Sequence, residues 1–153
     1  MNIEERLVEL NIDLPPVVEG KNPIGLGVIV NNVVHLSGKT PLVEGQTKYP
    51  GIVGREVTME QAQEAAEICI FNLLASLKNI VGDLNKVKRV VKMHGYVASG
   101  PDYTDQAKVI NAASNLLNKI FGEDNKHARV ALGVASLPGG APVEIEMLVE
   151  LEK

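Results

Sequence analysis

The chain has 153 residues, 45% hydrophobic and 22% charged, a globular composition whose length suits one domain spanning residues 1–153. A net charge of −4, an aromatic content of 3% and the lack of any Trp argue against a phosphate-tracking or base-stacking nucleic-acid surface. One cysteine, Cys69, leaves no internal disulfide, which suits a reducing compartment.

The N-terminal "MNIEERLVEL" is acidic and amphipathic, with no basic region leading into an apolar run, so it is not read as a secretion signal. No apolar stretch reaches membrane-spanning length, and a soluble cytoplasmic protein is expected. Asn2 followed by Glu5 resembles a capping pair and predicts a short helix over roughly residues 3–10. "IDLPPVVEGKNP", with Pro15, Pro16 and Pro23, breaks regular structure. Two β-branched runs around Asn31-Asn32 then predict a hairpin, because Asn tolerates the positive φ of tight turns. A long Gly- and Pro-punctuated loop follows Gly38, of a length that is often functional.

Thr58 and Gln61 form a capping box in front of a long helix. Ala62, Ala66, Cys69, Leu73, Leu77 and Ile80 share one face of it, so Cys69 is expected to fill core. A long strand follows, with Val87, Arg89, Val91, Met93, Gly95 and Val97 expected on one side and Lys88, Val90, Lys92, His94 and Tyr96 on the other. The basic run Lys86, Lys88, Arg89 and Lys92 reads as a solvated strand entry. "GPDYTD" opens a second long helix, its apolar face set by Ala107, Ile110, Ala113, Leu117 and Ile120, with Gly122 placed to end it. His35, His94 and His127 lack paired ligand spacing, so no metal site is expected.

The last two predicted strands are joined by the turn "LPGGAP". In the second, Val143, Ile145, Met147, Val149 and Leu151 make an apolar face, which puts Glu144, Glu146 and Glu150 on the side away from the helices. In the first, Val130, Leu132 and Val134 are the natural partners of the helices, leaving Arg129 beside the small Ala131, Gly133 and Ala135 on the other face. That face could meet water, a second subunit, or a ligand carboxylate held by Arg129. Glu144 could be a cross-strand partner of Arg129 or could orient a water at a site. The order α-ββ-α-β-α-ββ is a two-layer α+β pattern, a mixed sheet packed on two long helices.

Taken together, Arg129-Val130-Ala131, Leu137-Pro138 and Val143-Glu144-Ile145-Glu146 resemble the signature of the Rid (reactive intermediate deaminase) family, also called YjgF-like or L-PSP-like. "VVHLSGKTP", "VVKMHGYVAS" and Asn111-Ala112 extend the resemblance over nearly the whole chain, and "TDQ…VINAASNLL" and "HAR" resemble its longer bacterial branch. The resemblance implies a chorismate-mutase-like fold and a homotrimer whose sheets line a central barrel, with ligand sites in clefts between subunits. It implies that Arg129 grips a substrate carboxylate and Glu144 positions water. Gly38 and Ala131 would present backbone groups to the ligand, and Asn111 would lie at the same pocket. The implied substrate is a small 2-imino acid derived from an enamine, hydrolysed to a 2-oxo acid and ammonia without a cofactor. Ile24, after Pro23, stands where the family's deaminases carry a tyrosine, and Ala131 stands where a cysteine is common. A trimeric protein that binds small carboxylates without turnover is the alternative. An endoribonuclease ranks below both, and neither a nucleic acid nor a membrane is an expected partner.

Overall fold

The computed structural model describes residues 2–17 and 21–153; of the proline-rich stretch, Val18, Glu19 and Gly20 lie outside the described residues. Asn2 accepts a hydrogen bond from the Glu5 N–H at 3.0 Å and starts helix α1, Ile3–Glu9, which buries Ile3 and Leu7. Strands β1, Gly27–Val30, and β2, Val33–Leu36, form the expected hairpin, with Asn31 at φ 55°. The loop after Gly38 is more ordered than its composition suggests. It holds a tight hairpin of β3, Leu42–Val43, and β4, Gln46–Thr47, turned through Glu44 and Gly45 at φ 50° and 79°. Asn72 donates to the Thr40 and Leu42 carbonyls at 3.1 Å each and fastens this hairpin to the helix beneath it.

That helix, α2, Met59–Val81, begins at a complete capping box. Gln61 N–H donates to Thr58 Oγ1 at 3.1 Å, and Thr58 N–H donates to Gln61 Oε1 at 3.0 Å. Its buried face includes Ala62, Ala66, Cys69, Leu73 and Leu77, as expected, while Ile80 is half-buried. Strand β5, Val87–Ala98, is followed by helix α3, Gln106–Phe121, then β6, Ala128–Val134, and β7, Val143–Leu151. The five-stranded sheet runs β1-β2-β7-β5-β6, with β5 and β6 parallel and every other pair antiparallel. Helices α2 and α3 pack on one face. Gly95 of β5 lies so close to α3 that a Cβ there would sit 2.7 Å from Ile110 side-chain atoms.

Three expectations about faces are corrected. In β5 the alternation breaks at two register shifts against β7, between Val87 and Arg89 and between Val90 and Lys92. Val90 therefore turns into the core, and Arg89 and Val91 turn outward. In α3 the buried face takes Val109 in place of the exposed Ala107.

The third correction concerns β6. Arg129, Ala131 and Gly133 pair in register with Met93, Gly95 and Val97, the core side of β5, so they face α3. Gly133 leaves room for the helix overhead: a Cβ on it would meet Gln106 Nε2 at 2.7 Å. Val130 and Leu132, expected in the core, point away from the helices and are 36% and 51% exposed. They join Val28 and Val30 on a sheet face that no helix among the described residues covers.

Candidate functional site

The candidate residues fall into two groups on opposite faces of the sheet. Arg129 lies level with Met93 on β5 and Met147 on β7, on the helix side. Glu144 lies level with Tyr96, and Tyr96 with Leu132, on the open side. The cross-strand Arg129–Glu144 pair considered from sequence is therefore not formed within the chain.

The first group is built on β6 and α3. Arg129 Nη1 donates to Asn111 Oδ1 at 2.8 Å and to Ser114 Oγ at 3.1 Å. Those two bonds use both hydrogens of Nη1, and Nε and Nη2 have no partner among the described residues. A guanidinium offers carboxylate two parallel N–H donors from such an edge. The anchoring residues stand three apart on α3, which puts them on one helix face. Ser114 Oγ is also 3.0 Å from His127 Nε2, and His127 shares the strand face of Arg129.

Ala131 follows on the same side, half-buried. The Val134 carbonyl accepts from the N–H of Ser99, just past β5, at 3.0 Å. Backbone groups alternate sides along a strand, so the N–H and C=O of Arg129, Ala131 and Gly133 point off the free edge of β6. Beyond Ala131 the edge opens onto a cavity of about 410 Å³ bounded by Ser99, Tyr103, Gln106 and Gly133.

The second group lies on the open face. Glu144 is half-buried on β7 and accepts no hydrogen bond from any described residue. Burial pushes its carboxyl above the ordinary range, and the negative Glu146, two residues along the same face, pushes it the same way. Gly38 leaves the space in front of it, since a Cβ there would lie 3.0 Å from Glu144 Oε1. Tyr96 O–H donates to Glu146 Oε1 at 2.8 Å, and His94 Nδ1 lies 3.7 Å from that oxygen. Ser37 ties the segment of Ile24 to this group: its hydroxyl donates to the Gly25 carbonyl at 2.6 Å, next to Gly38 in the chain. Ile24 itself is 68% exposed.

Cys69 is fully buried beneath β7, its thiol 3.8 Å from the Val143 carbonyl, and burial raises its pKa well above the ordinary value. It is packing, not a nucleophile in waiting. The basic run at the start of β5 is largely engaged within the chain. Lys88 and Arg89 reach Glu150 at 3.1 and 3.3 Å, and Lys86 Nζ donates to the Val81 carbonyl at 2.7 Å, at the end of α2. Among the described residues no three His, Cys, Asp or Glu side chains gather as a metal-binding group. No helix among them is long and apolar enough to cross a membrane.

Residues 4–151 match the family model described as "YjgF/chorismate_mutase-like, putative endoribonuclease". The chain belongs to this family. Protein TCP17 of Trypanosoma cruzi is 37% identical over 150 residues, covering 97% of this chain and 94% of that one. The crystal structure of protein Atu1372 from Agrobacterium tumefaciens superposes with a TM-score of 0.88 at 44% identity, covering 98% of this chain and 92% of that one. A protein from Shewanella oneidensis described as a putative endoribonuclease superposes with a TM-score of 0.92 at 26% identity, covering 99% of this chain and 100% of that one. The YjgF/L-PSP resemblance read from the terminal strands is thus the right family, and the mixed α+β sheet is its chorismate-mutase-like fold.

Ser114, His127, Tyr96 and Glu146 are the polar neighbours that the sequence did not mark as site residues. The first two follow from the family arginine once β6 is placed with its small residues toward α3: Ser114 is one turn from Asn111, and His127 is two strand positions from Arg129.

Proposed function

We propose that the protein hydrolyses small 2-imino acids, in tautomeric exchange with enamines, to 2-oxo acids and ammonia, in clefts that two neighbouring copies of a homotrimer complete together. The reading rests on one observation. Two incomplete half-sites stand on opposite faces of the sheet: a tethered guanidinium with a donor edge, and a half-buried carboxylate, both without a partner among the described residues. Neither half suffices alone, and a second copy can bring the Glu144 of one chain to the Arg129 of another. The uncovered Val28, Val30, Val130 and Leu132 favour such a neighbour, because apolar groups of this size gain from leaving water.

In that cleft Nε and Nη2 of Arg129 would hold the substrate carboxylate, helped by the outward N–H groups of β6. The imine carbon is already electrophilic. Water held by Glu144 would add to the protonated imine, C=NH₂⁺, and give one proton to the carboxylate, forming a neutral tetrahedral carbon that bears both OH and NH₂. Glu144 would return that proton to nitrogen; as the C–N bond breaks and ammonia leaves, the remaining hydroxyl proton would pass back to Glu144 and the C=O of the 2-oxo acid would form. A carboxyl pushed above its ordinary range is a stronger base, which suits the first step. A solved relative from an Antarctic Psychrobacter, 26% identical, carries the name RidA, which agrees with this reading.

RNA cleavage, suggested by the names of other relatives, finds less support. The chain is acidic, and Lys88 and Arg89 already face Glu150. Binding without turnover would leave the raised carboxyl of Glu144 and the space before it without a use.

The deciding assay generates 2-aminoacrylate or 2-iminobutyrate in situ and follows ammonia release. Wild type should accelerate release well above the spontaneous rate. No acceleration, together with no binding of pyruvate or 2-oxobutyrate, would remove the deaminase reading.

A further inference from the structure

The tether on Arg129 does not end at Ser114. Arg129 Nη1 donates to Ser114 Oγ at 3.1 Å, and that oxygen is 3.0 Å from His127 Nε2. An arginine can only donate, so the serine oxygen is the acceptor in the first contact. The serine hydroxyl has one proton to give, and His127 Nε2 is the one acceptor for it among the described residues. The arrangement that satisfies both contacts of the serine oxygen therefore has His127 neutral, with its proton on Nδ1 and a bare Nε2. We propose that His127 is a positioning residue for the carboxylate clamp: neutral, it takes the Ser114 proton and presents the serine oxygen to Arg129; protonated, it loosens Arg129 and weakens binding of small 2-oxo and 2-imino acids. This rests on the reading of Arg129 as the clamp.

The physical reason is a conflict of donors. A protonated His127 must donate from Nε2. Ser114 Oγ would then face an imidazolium and a guanidinium at once, and its own proton would have no acceptor. Two positive charges on either side of one hydroxyl also repel.

The charges around His127 fit this role. Arg129, from β6, is the charge that acts on it, while α3 presents the neutral Ser114. Lys126 precedes it in the chain, and Glu123 and Asp124 lie in the exposed 3-10 turn before that. No acidic side chain among the described residues pairs with it. Burial and Arg129 both hold His127 below the ordinary histidine range. The neutral, clamp-holding form thus prevails near neutrality and is lost on acidification.

The test measures the affinity of 2-oxobutyrate by calorimetry from about pH 4 to about pH 8, a window that reaches below the range in which histidines ordinarily titrate because His127 is held low. Wild type should bind roughly ten-fold more weakly once His127 is protonated, the scale of one hydrogen bond to a charged group. Ser114→Ala and His127→Ala should each weaken binding roughly ten-fold at neutral pH, raising KM with kcat little changed. His127→Gln, which offers a neutral acceptor, should recover most of that loss and remove the acid limb. Parallel pH curves for wild type and His127→Gln, or wild-type affinity in Ser114→Ala, would overturn the proposal. A second readout needs no ligand: the ¹⁵N signals of the Arg129 guanidinium should shift as His127 titrates in wild type and not in His127→Gln. Guanidinium signals unmoved through the titration overturn the coupling itself. Failure of every form to bind any 2-oxo acid, with the signals still moving, would instead remove the clamp reading of Arg129.

Discussion

Replacing Arg129 by Ala is expected to weaken binding of pyruvate or 2-oxobutyrate by about a hundred-fold or more and to abolish imine hydrolysis, because the ligand loses a paired, charge-assisted contact. The fold should survive. Arg129 is only partly buried, and its bonds go to Asn111 and Ser114 at the helix surface, where water can replace it. The melting temperature should move by no more than about 4 °C. Arg129→Lys should recover little: an ammonium can meet either Asn111 or the ligand, but it has no second donor edge held parallel to a carboxylate. If Arg129 merely supported α3, Arg129→Ala would lower stability and leave ligand affinity unchanged.

Glu144→Gln should separate binding from chemistry. The amide fills the same space beside Gly38, so 2-oxo acid affinity should stay within a few-fold of wild type. Turnover should fall by roughly 10²–10⁴-fold, the usual contribution of a general base. The pH profile gives an independent check. Burial and Glu146 raise the Glu144 carboxyl, so the base is present above its raised pKa and is lost as pH falls through it. In the His127→Gln variant, which lacks the histidine's own acid limb, the acid limb of kcat/KM should therefore lie above the ordinary carboxylate range. Glu146→Gln removes the neighbouring charge and should move that limb to lower pH. Unaltered turnover in Glu144→Gln would leave the second half-site without a role.

The sequence makes some of this legible and hides the rest for definable reasons. The unbroken alternation of Val143 to Val149 places Glu144 and Glu146 on the open face, and Thr58 with Gln61 starts α2 where the capping box says it should. Alternation fails in β5 because two bulges each insert a residue, which no hydrophobic pattern announces. It misleads in β6 because Val130 and Leu132 look like core, whereas room for α3 requires Ala131 and Gly133 beneath it. That reversal decides the site: it carries Arg129 to the helix side, away from Glu144 and into reach of Ser114 and His127. Arg129 and Glu144 were recognisable as candidates from the family signature, but their separation within one chain was not. It depends on strand register, a property of the folded sheet.

That separation can be tested by mixing. Arg129→Ala and Glu144→Gln protomers, each inactive alone, are co-expressed with different tags, and mixed oligomers carrying both are purified. In a site shared across a seam, one chain would supply an intact Arg129 and its neighbour an intact Glu144. A mixed trimer of either composition has one seam of its three with both groups intact, so roughly a third of wild-type ammonia release should return. Mixed oligomers as inactive as their parents, alongside an active wild type, would contradict a site built from two copies.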